Sequence, residues 1–104
     1  MFIADAGAVI AACSITDYVM SSGQPAAQIN VAIALEHIAL AAVEEDLATC
    51  WIGAFNPHKV RQVLGIPKNI QIIELMCLGY PADKPKKPHR LPLTDIVRYN
   101  EWQF

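Results

Sequence analysis

The chain has 104 residues, a formal net charge of −2, 54% hydrophobic residues and only 17% charged residues. This length suits a single domain with a modest core, and eight basic residues that form no stripe argue against a nucleic-acid partner. Small proteins have more surface per residue and should be more polar, so we expect a second subunit or a further segment to cover apolar surface.

The first predicted elements are a strand and a long helix. Residues 7–15, GAVIAACSI, form a short apolar run with β-branched residues and predict a buried strand. The polar residues 17–24 predict a loop, and Pro25 suits the first turn of the helix that follows. Residues 28–45 are rich in Ala and Leu on nearly all faces. This pattern predicts a helix buried on all sides, either central or at an interface.

The C-terminal end of this helix is predicted to be weak. Helices commonly end with a left-handed glycine, but Asp46 stands there and should cost about 1 kcal/mol relative to glycine. Glu44 and Glu45 in the last turn also oppose the helix dipole. We therefore expect local strain in the turn that leads into the next strand.

A second strand, a short helix and a third strand follow. Residues 47–55 predict the second strand, after which Asn56 provides an N-cap and Pro57 suits the first helical position. Gly65 suits the position just after the end of this short helix. Residues 69–78, NIQIIELMCL, are apolar on both faces except at two positions and predict the third strand.

The rest of the chain is predicted to be extended. Residues 82–92 are rich in proline and basic residues, which predicts an extended, largely unpaired segment. Residues 93–104 carry several large apolar side chains, and such a tail should pack on this domain or on a partner. We therefore interpret residues 1–104 as a single domain whose tail, residues 82–104, contacts a partner subunit.

The sequence pattern favours a cytoplasmic protein without a membrane span or a metal site. The longest apolar stretch, residues 31–43, is interrupted by Glu36 and His37 and is too short to span a bilayer. No basic region opens the chain, which argues against a secretory signal. None of the three cysteines has metal-ligand spacing, and all lie in apolar runs, which predicts buried free thiols: Cys13, Cys50 and Cys77.

The end of the second predicted strand is a candidate ligand site. Trp51 and Ile52 are followed by Gly53 and Ala54, which leave the main chain almost bare. Such a strand end suits either a planar ligand that lies against the backbone or an ordinary bulge or turn. Both explanations stay open on spacing alone.

Two groups of charged residues are further candidates, and each also has a simpler explanation. The basic residues within 82–92 could hold a phosphate, with Arg90 as a bidentate donor, or could simply be solvated. Glu36 and His37 could form a buried acid–base pair, a hydrogen-bonded core pair or part of a subunit boundary. We assign no catalytic side chain, because no positioned partner is visible for any of these residues.

The longer motifs resemble the C-terminal half of the nitroreductase family of FMN-dependent oxidoreductases. The segments that carry the resemblance are the alanine-rich helix, TCWIGAF with NPHKVRQVLGIP directly after it, and LGYP followed by LPLTDIV. The resemblance runs in order over about residues 7–102. It implies an α+β fold, truncated here to three strands, a long buried helix, a short helix and an extended C-terminal tail. It also implies a homodimer with FMN at the subunit boundary.

The resemblance indicates which residues would bind the cofactor. In the family, the strand end that matches Ile52, Gly53 and Ala54 lies against the isoalloxazine ring of FMN. The backbone N–H of Gly53 is the group expected to approach flavin N5. Arg90 and Lys87 match the basic residue near the C-terminus that contacts the FMN phosphate.

The activity implied by the resemblance is ping-pong hydride transfer from NAD(P)H through flavin N5 to a nitroaromatic or quinone-like acceptor. The family normally begins with a segment carrying an Arg-x-Ser-x-Arg-like motif that grips FMN, whereas no arginine precedes Arg61 here. One alternative is a non-enzymatic remnant that folds and dimerises without the first half of the flavin site. Another is a relative with different flavin chemistry, such as halogen removal.

Overall fold

A three-stranded antiparallel sheet lies at the centre of the computed structural model, which describes residues 2–104. Its strands are β1 (Ala8–Ser14), β2 (Ala48–Ile52) and β3 (Gln71–Gly79), in the order β1-β3-β2. β3 is the central strand and other elements pack on both faces of the sheet, which agrees with its apolar sequence on both faces. Four of its side chains belong to the core: Ile72, Leu75, Met76 and Cys77.

Helices complete the fold of the described residues. They are α1 (Ala26–Glu44), α2 (Pro57–Leu64) and the single turn α3 (Leu93–Ile96), with a 3₁₀ turn at Phe2–Asp5. The predicted α+β fold, with three strands, a long helix and a short helix, is confirmed. The largest difference is in β2, which ends at Ile52 and leaves Gly53, Ala54 and Phe55 beyond the sheet.

The two faces of the sheet are covered by different elements. On one face, Ile52, Leu75 and Cys77 form a buried cluster against Phe55 and Val60, the latter on α2. Side chains alternate along a strand, so Met76 points to the opposite face. α1 covers that face, and Leu35 of α1 and Met76 are the largest side chains that are fully buried.

The start of α1 is capped by a distant carboxylate. Pro25 occupies the N-cap position and offers no side-chain cap. Asp17 Oδ1 instead accepts hydrogen bonds from the backbone N–H groups of Tyr18 at 2.8 Å and Ala27 at 2.9 Å. Asp17 therefore satisfies one of the free amides in the first turn of α1 and ties the preceding loop to the helix.

The other end of α1 confirms the left-handed conformation expected for Asp46. Asp46 has φ +55°, and its N–H donates to the carbonyl of Val43 at 3.1 Å. The next amide, of Leu47, donates to the carbonyl of Ala42 at 2.8 Å. This is the hydrogen-bond pattern of a Schellman motif, in which glycine is the usual left-handed residue.

The boundaries of α2 are those expected from its sequence. Asn56 Oδ1 accepts hydrogen bonds from the amides of His58 at 3.0 Å and Lys59 at 3.1 Å, which confirms its capping role. Gly65 ends the helix with φ +66°. The Arg61 guanidinium then donates to the carbonyl oxygens of the loop that follows, those of Ile66, Pro67 and Ile70.

α1 carries two apolar stripes on opposite sides, and the sheet covers only one of them. The inner stripe includes the buried residues Ala27, Leu35 and Ala42. The outer stripe repeats at intervals of four and three residues and is 41–69% exposed: Ile29, Ile33, Leu40 and Val43. The burial expected on all sides of this helix is therefore not reached within one chain.

The length and composition of α1 alone would allow it to cross a membrane. Core helices of other proteins meet the same two criteria.

The cysteines differ in exposure. Cys77 is buried in β3, Cys13 is half-buried and Cys50 is exposed, and all three are free thiols. The prediction of a buried thiol is therefore wrong for Cys50. Ile52, two residues further along the same face of β2, is buried in the core cluster, whereas Cys50 lines a surface pocket near the start of the strand.

The C-terminal tail does not pack on the rest of the chain. Residues 80–104 are all exposed apart from the half-buried Arg98, which stacks on Phe104 with its guanidinium carbon 4.3 Å from the ring centroid. The helical turn α3 interrupts the segment, which is otherwise extended as expected. Its largest side chains are 52–86% exposed: Tyr80, Leu91, Leu93, Ile96, Tyr99, Trp102 and Phe104.

The single chain exposes much more surface than a compact domain of its mass. Its accessible surface is 8600 Å², whereas scaling of surface with mass gives about 5,800 Å² for a folded monomer of this size. Its radius of gyration is 17.1 Å, compared with about 13 Å for a compact domain of this length. The tail and the outer stripe of α1 account for the open shape.

Candidate functional site

The main chain is open to solvent immediately beyond the end of β2. Ile52 is the last paired residue of β2; it lies opposite Leu75 of β3 and is buried. Gly53 and Ala54 come directly after it and are exposed. The sheet therefore holds the backbone in place at Ile52, while the next two residues present main chain with almost no side chain over it.

Neither local strain nor internal packing accounts for the glycine at position 53. The left-handed glycines of the described chain are Gly23 and Gly65, so Gly53 does not require the conformational freedom of glycine. Apart from its neighbours in the chain, the nearest atom to a Cβ added at Gly53 would be Glu74 Oε2 at 4.0 Å, which is ordinary van der Waals contact. The register of β2 on β3 also runs without a bulge. Within the described residues, the backbone at Gly53 therefore has room beside it for a side chain.

A cleft of about 300 Å³ lies between the first turns of α1 and the adjoining ends of β2 and β3. Its lining includes Trp51, which precedes Ile52 in the chain, but none of Ile52, Gly53 and Ala54. Trp51 and Ile72 contribute its apolar walls, and Gln28 and Gln71 contribute amides. Glu74 is the one ionisable residue of its lining, and its Oε1 accepts a hydrogen bond from the amide of Leu75 at 3.1 Å. The cleft is therefore mixed in polarity and open on one side.

Lys87 and Arg90 lie in the segment that follows the end of β3. Both are exposed, within a segment after β3 that contains neither helix nor strand. β3 passes Ile52 at Leu75 and ends at Gly79, opposite Ala48. The basic segment thus leaves the sheet about 13 Å beyond the level of Ile52. Within the described residues, no hydrogen bond fixes either cation.

The remaining charged candidates are exposed in the single chain. Glu36 and His37 lie on α1 and are both exposed, so they do not form a buried acid–base pair within one chain. Glu36 falls in the outer stripe, between Ile33 and Leu40. Both residues are therefore excluded from a buried pair within one chain, and the position of Glu36 agrees with the third explanation, a place at a subunit boundary.

Sequence reasoning missed two polar residues that shape the region around the site. Asp17 caps α1 from ten residues away, and nothing in the local sequence points to that contact. Arg61 donates to a carbonyl of the loop between α2 and β3 and so fixes the loop that leads into β3. β3 carries Glu74, whose Oε2 would lie 4.0 Å from a Cβ at Gly53. The available signal was the position of Arg61 near the end of a short helix that stops at a glycine, five residues before Ile66.

Comparison with known proteins identifies the family. The described residues form an α+β domain with helices on both faces of an antiparallel sheet and one open backbone edge beside a cleft. A family model described as the nitroreductase family matches residues 1–80. The chain therefore belongs to the nitroreductase family.

Solved structures of the same family share the fold. A nitroreductase family protein from Clostridium difficile 630 superposes with a TM-score of 0.82 at 30% identity, over 96% of this chain and 63% of that one. The NADPH:FMN oxidoreductase of Vibrio harveyi, solved with NAD⁺, gives a TM-score of 0.67 at 30% identity, over 74% of this chain and 34% of that one.

Curated relatives carry the same kinds of name. The chain is 31% identical to the NADPH-flavin oxidoreductase of Vibrio harveyi over 72% of its own length and 32% of that protein. It is 37% identical to the oxygen-insensitive NADPH nitroreductase of Salmonella typhimurium over 62% of its own length and 28% of that protein. The chain thus spans about a third or less of the curated relatives it matches.

Proposed function

We propose that this chain forms part of an FMN-dependent oxidoreductase that uses NAD(P)H as its electron donor. The observation that carries the proposal is the open main chain at Gly53 and Ala54, which neither strain nor packing explains. A planar ring needs a flat surface and main-chain donors, and this strand end offers both. The names of the relatives, which include NADPH-flavin oxidoreductase, support the same cofactor and donor.

In this proposal Ile52, Gly53 and Ala54 form a shelf for the isoalloxazine ring. Burial of Ile52 in the core fixes the position of the shelf, and the Gly53 N–H serves as a hydrogen-bond donor toward flavin N5. The bound flavin supplies the redox chemistry, in a ping-pong exchange between NAD(P)H and a nitroaromatic or quinone-like acceptor. The protein binds and orients, so no catalytic side chain is required.

Lys87 and Arg90 are proposed to bind the FMN phosphate. Both are exposed cations without hydrogen-bond partners in the described residues, so their donors are available. Arg90 can hold two phosphate oxygens at once, whereas Lys87 acts as a point charge. Because their segment leaves the sheet beyond the far end of β2, it must either fold back or serve the site of a second copy.

A homodimer is proposed as the assembly, built on the outer stripe of α1 and the tail. The surface of the chain exceeds that of a compact monomer by about 2,800 Å². Two copies together would therefore have about 5,600 Å² to cover, which is at the upper end of the total area buried by obligate dimers. The outer stripe has the four-and-three spacing that favours helix–helix packing. Such an assembly would cover the apolar surface that the single chain exposes, and we expect it in the cytoplasm.

The shelf is tested by titrating the full chain with FMN while flavin fluorescence is followed. Gly53→Pro removes the amide donor, and Ile52 already has the extended conformation that proline requires of the preceding residue. We expect its affinity for FMN to fall about tenfold, the equivalent of one hydrogen bond. Gly53→Ala keeps the N–H, and its Cβ has room within the fold, so any loss of affinity in this variant reflects the Cβ against the ring. The further loss in Gly53→Pro then measures the amide donor.

The outcomes separate the two functions considered. If the parent chain takes up no FMN at any concentration, the flavoprotein proposal fails for this chain and a non-enzymatic remnant is the better description. If Gly53→Pro and Gly53→Ala bind equally well, the backbone donor is wrong although the cofactor is right. Bleaching of bound flavin by NADH or NADPH under nitrogen, followed by recovery with a nitroaromatic, then tests turnover.

The phosphate contact is tested by comparing FMN with riboflavin, which lacks the phosphate. Arg90→Ala should weaken FMN binding tenfold to a hundredfold, the equivalent of a charge-assisted hydrogen bond, and leave riboflavin binding unchanged. Lys84→Ala removes a cation from the same segment and serves as the control. Equal losses for the two ligands would contradict a phosphate contact.

A further inference from the structure

Two thiols face each other across neighbouring strands. Cys50 of β2 is the register partner of Cys77 of β3 in the antiparallel pairing. Directly opposed residues in such a pair lie on the same face with Cα atoms about 4.5–5.5 Å apart. Disulfides form at Cα separations of about 4.4–6.8 Å, and the spacing of directly opposed residues falls within that range.

The two thiols also share a cavity and differ in access. Cys50 and Cys77 both line a surface pocket between the 3₁₀ turn and the ends of β2 and β3. Cys50 is exposed, whereas Cys77 is only 6% exposed. Burial, and secondarily the nearby Cys50, raise the pKa of the Cys77 thiol. A reagent from solution therefore meets Cys50 first.

The third cysteine is too far away to take part. Cys13 of β1 is the register partner of Ile72, which lies five residues along β3 from Cys77. At about 3.4 Å per residue, this separation is about 17 Å, well beyond the reach of a disulfide. Cys13 is therefore a natural control within the same chain.

We propose that Cys50 and Cys77 form a dithiol–disulfide couple that reacts with low-molecular-weight disulfides such as glutathione disulfide. In the first step the Cys50 thiolate attacks one sulfur of the reagent, whose S–S bond breaks and releases one thiol. In the second step the Cys77 thiolate attacks Cys50 Sγ and releases the second thiol. Two protein thiols are oxidised, one reagent disulfide is reduced to two thiols, and the two protons pass to the released thiols.

The geometry sets the order of these steps. Exposure makes Cys50 the attacking group, while Cys77 resolves the mixed disulfide from within the sheet. The second step is intramolecular, so it should outpace the attack of another protein molecule. The disulfide would link the edge strand β2 to the central strand β3 at Cys50, two residues before Ile52. Its formation does not depend on a bound flavin.

The experiment uses the full chain, reduced and then incubated with glutathione disulfide over a range of reduced-to-oxidised ratios. Remaining thiols are alkylated, and intact masses and non-reduced peptide maps are recorded. We expect the parent chain to lose two of its three thiols, to yield a Cys50–Cys77 linked peptide without covalent dimer, and to recover with reductant. Cys13→Ser should behave identically.

Variants of the pair separate the two roles. Cys50→Ser, at an exposed position that should tolerate the change, is expected to abolish both the adduct and the link. Cys77→Ala should leave a stable glutathione adduct on Cys50. If this buried variant fails to fold, the peptide map of the parent chain still tests whether the Cys50–Cys77 link forms. A link through Cys13, a disulfide between two chains, or an unresolved adduct in the parent chain would overturn the proposal.

Discussion

Replacing Asp46 with glycine should stabilise the chain. Asp46 is the left-handed residue of the Schellman motif that ends α1, with φ +55°. Its amide and that of Leu47 already make the two hydrogen bonds of the motif, so Asp46→Gly changes neither. The substitution relieves the steric cost of a Cβ in this conformation and removes a carboxylate from the negative end of the helix dipole.

The expected gain is about 1 kcal/mol. The left-handed conformation costs a non-glycine residue about 1 kcal/mol, somewhat less for Asp, and the unfavourable charge adds about 0.3–1 kcal/mol at low salt. The greater freedom of glycine in the unfolded chain offsets part of the sum. A gain of this size corresponds to a rise in melting temperature of about 4 °C for a domain of this length.

Two control variants divide the gain between its causes. Asp46→Asn removes the charge but keeps a Cβ, so it should gain only the electrostatic part, about 0.5 kcal/mol, and less in salt. Glu45→Gly also removes a carboxylate, but Glu45 has φ −94° and does not need glycine, so no net gain is expected. Urea unfolding is followed by circular dichroism at one fixed protein concentration, since an oligomer would make stability depend on concentration.

The reasoning would be refuted by either of two results. If Asp46→Gly is no more stable than Asp46→Asn, the positive φ costs nothing and the end of α1 is not strained. If Glu45→Gly gains as much as Asp46→Gly, the effect belongs to charge removal and has no conformational part.

Three further predictions concern the fold and the assembly. Asn56→Ala removes the acceptor of two amide hydrogen bonds at the start of α2 and should cost about 1 kcal/mol in urea unfolding, with Asn56→Asp nearly neutral. Arg61→Ala should cost about 2 kcal/mol by the same measurement, and Arg61→Lys should recover little, because one ammonium cannot replace the guanidinium fork on the loop carbonyls. Leu40→Glu changes a side chain that is 63% exposed in the single chain, so it should leave circular dichroism unchanged but shift sedimentation toward monomer. Gln62→Glu on α2 is the control. An unchanged association state in Leu40→Glu would rule out the outer stripe of α1 as the dimer contact.

Local signals in the sequence were enough for several elements. The start of α2 was predictable because Asn56 caps it through contacts within three residues, and Gly65 ends it with a left-handed turn. The conformation of Asp46 followed from its position after an alanine-rich helix. Each depends on residues close in sequence, where side-chain chemistry acts directly on the neighbouring backbone.

The site itself could be predicted only in part. The bare backbone at Gly53 was visible in the sequence, but whether it served a turn or open space required the positions of β3 and Glu74. The length of β2 was overestimated because apolar residues continue past Ile52, and hydrophobicity alone does not show where pairing with β3 stops. Charge pointed to several basic residues within 82–92, and only the family resemblance singled out Lys87 and Arg90, because neither helix nor strand pairing fixes that segment.

Tertiary structure decided the properties that depend on which segments become neighbours. The sequence of α1 is apolar all round, but the sheet covers only one side and leaves the outer stripe exposed. The apolar runs around Cys50 and Cys77 look alike, yet Cys77 belongs to the core cluster and Cys50 lines a surface pocket, so one thiol is buried and the other exposed. Strand order and register join residues that are distant in the chain, and hydropathy, being a local property, carries no information about that choice of neighbour.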